Sequence, residues 1–146
     1  EEARSRLASI GNLARRSHNE RVLTSFAASP QADRFLMPVR VPRLETTLGD
    51  VDLHLAFDLV ARENDQPRWL LYNMRVMPVD EQLARATLEV AHWLLQSCGV
   101  SARMNALEYI DLAQAGQCYS FPRTRSITIK QAEQTLKLVE TLWPTI

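Results

Sequence analysis

The chain is poor in the residues that mark several protein classes. Its 146 residues include two cysteines, Cys98 and Cys118, which form no C-x-x-C pair. A disulfide scaffold is excluded, and a reduced, cytoplasmic setting is the simpler expectation. His18, His54 and His92 lie far apart and show no metal-binding spacing such as H-E-x-x-H. With four glycines there is no phosphate-cradling G-x-x-x-x-G-K, and no G-x-S-x-G nucleophile motif occurs. Apolar runs such as Trp69–Tyr72 are far shorter than the roughly 18 residues of a membrane-spanning helix, so no membrane partner is expected. Neither a repeat nor a low-complexity stretch appears. No signal-peptide pattern is present and the chain opens Glu1-Glu2-Ala3 without Met. The expectation is a domain excised from a larger protein.

What remains is an ordinary globular composition: 46% hydrophobic and 23% charged, with a net charge of zero. The length suits one domain, 1–146. The charge is unevenly spread. Residues 1–43 hold eight arginines against four acids, and residues 44–146 hold nine bases against thirteen acids. A basic first third, with Arg15, Arg16 and Arg21 on one helical segment, can meet phosphate; the plainer alternative is a solvated helix face.

Periodicity predicts a helix over 3–26, with Gly11 or Ser17-His18-Asn19 as possible breaks. Three strands are expected next. Phe35–Val41 is interrupted by Pro38 and so belongs at an edge. Val51–Ala61 alternates, with Val51, Leu53, Leu55, Phe57 and Leu59 on one face. Trp69–Met77, after the turn Glu63–Pro67, is apolar enough to be covered on both faces. Asp80 suits the N-cap of a helix to Ser97, with Leu83, Thr87, Val90, Ala91, Leu94 and Leu95 inward and Gly99 after its end. A strand over 102–112, a turn at Ala115-Gly116-Gln117 and a return strand over 118–122 follow. Thr128 is a cap for a last helix, Ile129–Trp143, turning Ala132, Leu136, Val139, Leu142 and Trp143 inward. The order α-β-β-β-α-β-β-α implies an α/β (α+β) fold with a mixed central sheet flanked by helices.

That order, over about residues 15–143, resembles the RecB-like branch of the PD-(D/E)XK nuclease superfamily. Glu20-Arg21-Val22-Leu23-Thr24-Ser25-Phe26 is similar to the family's opening helix motif. Ala56-Phe57-Asp58-Leu59-Val60 is similar to the strand that carries its Asp, and Leu70–Arg75 stands where an acid, any residue and Lys close the next strand. Glu89 and Trp93 have the spacing, without the identities, of the Gln and Tyr on the following helix. The resemblance implies site residues Glu20, Asp58, Asn73 and Arg75, with Glu20 and Asp58 as ligands of Mg²⁺ or Mn²⁺ if the site is active.

Two departures weaken that site. Asn73 brings no negative charge to a hard cation, and the Arg75 guanidinium cannot release a proton near neutral pH. Leu55 also stands where a glycine is usual. The expected function is therefore a catalytically silent nuclease-like domain, bacterial and cytoplasmic, without a cofactor. It would have a DNA-binding or architectural role in a DNA-processing or mobile-element protein, with DNA, a protein partner or the rest of its parent chain as partner. An active nuclease with an unusual site and a protein-interaction module without a nucleic-acid role stay open. Asp58, Asn73 and Arg75 can equally form a structural hydrogen-bond set, and Glu20 can be a solvent-facing helix residue. His54 is four residues from Asp58, roughly 13 Å at strand rise, too far to share a metal with it. Trp93 and Cys98 are expected in packing roles, and His92 as a neutral, partly exposed side chain.

Overall fold

The structure, a computed structural model, describes residues 2–41, 43–48, 51–125, 130–131, 134–135 and 137–138. The first segment forms two helices, α1 (Glu2–Ala8) and α2 (Leu13–Ala27). The break falls by Gly11, where the Asn12 side chain caps α2 by accepting from Arg15 N–H; Ser17-His18-Asn19 stays helical. A 3-10 turn, Pro30–Asp33, leads to β1 (Met37–Pro38).

The expected 51–61 strand is two strands in two different sheets. β2 (Leu44–Leu48), not foreseen, pairs antiparallel with β3 (Val51–Leu55) as a separate hairpin sheet. β4 (Leu59–Glu63) instead joins the main sheet. Leu55 and Phe57 pack into one hydrophobic cluster and Leu59 into another, so the alternation seen along the sequence does not continue across the break. At Asp58 the side chain takes over the ladder: its carboxylate accepts Tyr72 N–H at 2.7 Å while Asp58 N–H donates to the Leu70 carbonyl.

β5 (Gln66–Asn73) follows a two-residue turn in which Asn64 and Asp65 both have positive φ, 49° and 61°. That mirror-image turn matches the twist of an antiparallel hairpin. Pro67 is tolerated because β6 (Leu107–Asp111) first pairs at Trp69, so no partner strand lies beside the proline on that side. The strand ends at Asn73, short of the expected Met77. The main sheet has the order β1-β4-β5-β6-β7, with β7 spanning Gln117–Tyr119. β5 and β6 run parallel and the other neighbours antiparallel. The expected mixed sheet is present, with a crossover helix between its parallel strands, but the β2–β3 hairpin intervenes between β1 and β4.

The crossover is α3 (Glu81–Ser97), capped by Asp80 accepting Leu83 N–H at 2.7 Å, with Gly99 at φ +76° beyond its end. Its inward stripe is Ala84, Leu88, Ala91 and Leu95, with Glu89 and His92 also buried. Leu83, expected inward, is 57% exposed and edges a crevice instead. His92 is likewise buried, not partly exposed, because its Nε2 meets the Ala102 carbonyl at 2.9 Å. Leu88, Ala91 and Leu95 pack on Trp69, Met104, Leu107 and Phe121 on one face of the sheet. On the other face Val22 and Phe26 of α2 pack on Leu70, Ile110 and Leu112. The turn before β7 needs its glycine: a Cβ at Gly116 (φ +77°) would stand 2.4 Å from Ser29 Cβ. The expected last helix, with its Thr128 cap and its inward residues, lies outside the described residues. Only Lys130, Gln131, Gln134, Thr135, Lys137 and Leu138 of it are described, and they are helical.

Candidate functional site

β5 and β6 end side by side, with Asn73 in register with Asp111. Odd-numbered residues of both strands face α3, so the two polar ends share that face below the start of the helix. Asp111 is fully buried. Its carboxylate accepts Val79 N–H at 2.6 Å, Asn73 Nδ2 at 2.8 Å, Gln114 Nε2 at 2.8 Å and Ala113 N–H at 2.9 Å. Burial pushes its pKa up, but these four donors outweigh that and hold the carboxyl below the ordinary range. Asn73, 2% exposed, is equally committed: Nδ2 also donates to the Met77 carbonyl and Oδ1 accepts Arg75 N–H. A short bent loop, 74–80, is thereby pinned onto the strand ends.

Above this floor lies a crevice of about 450 Å³, lined by Tyr72, Asn73, Met74, Arg75, Val79, Leu83, Thr87 and Tyr109. Burial raises the Tyr109 phenol, Asp111 raises it further, and the charges of Arg75 and Asp58 act on it with opposite signs. Arg75 is exposed, and so are Met74, Val76 and Met77 beside it.

Of the residues expected in a site, Asp58, Asn73 and Arg75 are drawn to one end of the sheet. Asp58 is bonded to the residue before Asn73, and its charge reaches Tyr109 along with that of Arg75. Their polar groups do not converge, since Asp58 points to a backbone N–H and Asn73 points to Asp111 and the loop. Glu20 lies elsewhere: with Arg16 and Leu23 it lines a groove between α1 and α2. Val22 and Phe26 are the α2 residues turned to the sheet, and the helical repeat puts Glu20 on the opposite side. Of the three basic residues, Arg15 is exposed in the first turn of α2 and Arg16 sits in that groove. Arg21 alone reaches the crevice end, donating to the Met74 carbonyl at 2.7 Å.

The fit to a divalent cation is poor. Among the described residues no three His, Cys, Asp or Glu side chains come together as a metal group. The oxygens of Asp111 and Asn73 are taken by N–H donors, which compete with a cation for the same lone pairs. His54 lies on β3 beside Glu45, in the other sheet.

Charged side chains away from the crevice form two further clusters, and of these residues the sequence pattern singles out Glu89 alone. Arg34 makes a two-pronged contact with Glu63 at 2.7 and 2.9 Å and also binds Glu108, which Arg68 flanks. Hydrogen bonding to Arg34 leads the causes that hold the Glu63 carboxyl below its usual range, against burial. Beside this group burial, reinforced by Glu108, pushes the Cys118 thiol up to about 11. Glu89, fully buried, receives Arg85 at 3.0 Å and both the N–H and the guanidinium of Arg125. The available signal was Glu89 standing on a mostly apolar helix face. Arg34 gave none, because Glu63 and Glu108 are distant in sequence. Asp111 has local donors at Ala113 and Gln114, but its partners Asn73 and Val79 are distant.

The chain matches no protein-family model, no curated protein and no solved structure.

Proposed function

We propose that this chain is a catalytically silent, nuclease-like domain that contacts DNA within a larger DNA-processing protein. The observation that carries the reading is the use made of Asn73 and Asp58. They lie at one end of the sheet, where a phosphodiester-cleaving site of this kind would be built, yet Asp58 is spent on a backbone N–H and Asn73 on the 74–80 loop and Asp111. The meander–helix–strand core with a helix on each face supports the same reading. So does the exposed Arg75 at the crevice, a fixed positive charge suited to phosphate and unsuited to proton transfer. The two free cysteines suit a reducing cytoplasm, and among the described residues no helix is long and apolar enough to cross a membrane.

The test pairs two assays. Incubation with Mg²⁺ or Mn²⁺ and single- or double-stranded DNA is expected to give no cleavage, and a salt-dependent mobility shift is expected with the same DNA. Cleavage abolished by Asp58→Ala would overturn the silent reading, and tight Mn²⁺ binding lost on Asp58→Asn would favour an active site. A second reading has its own support. Phe35, Met37, Val39 and Val41 alternate along the sheet edge and are 82%, 49%, 41% and 38% exposed, an apolar strip that fits a protein-interaction module. Failure to shift DNA at low salt makes that reading the leading one.

A further inference from the structure

Many arginines here already have a carboxylate. Arg6 pairs with Glu2, Arg34 with Glu63 and Glu108, Arg43 with Glu45, Arg68 with Glu63, and Arg85 and Arg125 with Glu89. Arg75 differs. Its backbone N–H is fixed by Asn73 Oδ1 at 3.1 Å, so the stem is held in place, but its guanidinium meets no hydrogen-bond or ion-pair partner among the described residues. Arg21 comes from α2 to the adjoining peptide through the Met74 carbonyl. Two guanidinia from different elements therefore bracket the Met74–Arg75 step: Arg75 lines the crevice, and Arg21, outside its lining, binds the adjoining peptide from the α2 side. No carboxylate lines that crevice. Of the acids beside it, Asp111 is enclosed by four donors, Asp58 is held by Tyr72 N–H and Asp80 by Leu83 N–H at the start of α3.

The surroundings select the kind of anion. Met74, Val76, Met77 and Leu83 are 41%, 71%, 76% and 57% exposed, and Tyr109 offers a phenol on the crevice wall. Repeated negative charge alternating with flat apolar groups is the chemistry of an unpaired nucleic-acid strand, whose bases are free to leave the stack. The crevice volume of about 450 Å³ lies in the ligand-sized range. We propose that the Arg21–Arg75 rim of this crevice binds the phosphodiester backbone of a single nucleic-acid strand directly, with no divalent cation between protein and phosphate. The inference rests on the DNA-contacting role proposed above and adds the site, the strandedness and the independence from metal. The guanidinia supply the positive charge that a cation would otherwise bring, and the oxygens of Asn73 and Asp111 that could hold a cation are already occupied.

Fluorescence anisotropy of a labelled oligothymidylate of about twenty nucleotides, a length that covers one or more single-strand sites, tests this in EDTA and in Mg²⁺. The expected result is the same affinity in both. Arg75→Ala is expected to weaken binding about tenfold, and Arg21→Ala by a smaller factor. Each is expected to flatten the dependence of log affinity on log salt by about 0.7. Arg103→Ala, just before β6 at the opposite end of that strand, serves as the control for simple loss of charge. Thermal melting checks that each variant is folded. Binding that requires Mg²⁺ overturns the metal-free contact, and a preference for duplex overturns the strandedness. Arg21 and Arg75 variants indistinguishable from Arg103→Ala overturn the site while leaving the DNA-contacting role intact. A polyglutamate peptide that competes as well as the oligonucleotide assigns the rim to acidic protein. No binding to any DNA removes this inference and the proposed function together.

Discussion

On its α3 face the central sheet meets a buried helix stripe of Ala84, Leu88, Ala91 and Leu95, the last three packed on Trp69, Met104 and Leu107. On its other face α2 buries no residue completely, and it packs on Leu70, Ile110 and Leu112 of the sheet side. The second face is completed by charge: Arg34 ties the segment after α2 to Glu63 of β4 and Glu108 of β6. One strand shows both solutions. Glu108 of β6 is neutralised by guanidinia, and Asp111, three residues on and on the opposite face, by neutral N–H donors. An apolar interface needs its volume filled but no particular donor–acceptor pairing, whereas removing one partner of an ionic one leaves the other an uncompensated charge. The lightly buried α2 also leaves its polar side in water, where its arginines stay accessible.

The comparison can be broken from the apolar side first. Leu88→Ala is expected to cost about 3–4 kcal/mol in chemical denaturation, because the site is fully buried. Val22→Ala on the half-buried α2 face is expected to cost about 1 kcal/mol. Similar losses from the two would mean that α2 is as deeply packed as α3. The ionic side is tested by Arg34→Met, expected to cost about 2–3 kcal/mol by stranding Glu63 and Glu108 with Arg68 alone. A loss below about 0.5 kcal/mol would place the network among ordinary surface pairs.

Asn73→Asp sharpens the account of the β6 carboxylates. It sets a second carboxylate 2.8 Å from Asp111 and is expected to cost about 2 kcal/mol at neutral pH, shrinking in acid as the pair shares a proton. A variant as stable as the parent at pH 7 would contradict the enclosed geometry. The wild type has its own acid limb. Asp111 and Glu63 titrate below their ordinary range when folded, so the unfolded chain binds more protons in acid. The stability they contribute is complete at neutral pH and is lost as pH falls below about 4. Denaturation midpoints from pH 7 to pH 3 read this directly, and Arg34→Met is expected to flatten part of the slope. The smallest effect is expected at Glu2→Gln, whose pairing with Arg6 is at the surface and contributes nothing measurable.

Local chemistry determined much of this molecule. The Asp80 cap, the Gly99 stop, the Asn64-Asp65 turn and the glycine at 116 are each fixed by dihedral preference or by a side chain within a few residues. That is why α3 and the β4–β5 hairpin are readable from the string of letters. The nearness of Asp58 to the Asn73 end is readable for the same reason, as the two ends of one hairpin. Only the tertiary structure decided which sheet Val51–Leu55 joins, that Leu83 faces a crevice, and that Asn73 is spent on Asp111, thirty-eight residues away. Alternation and helical period state that a face is buried but not against what. The partners of a buried charge are chosen by the packing of distant strands, which leaves no periodic trace along the chain.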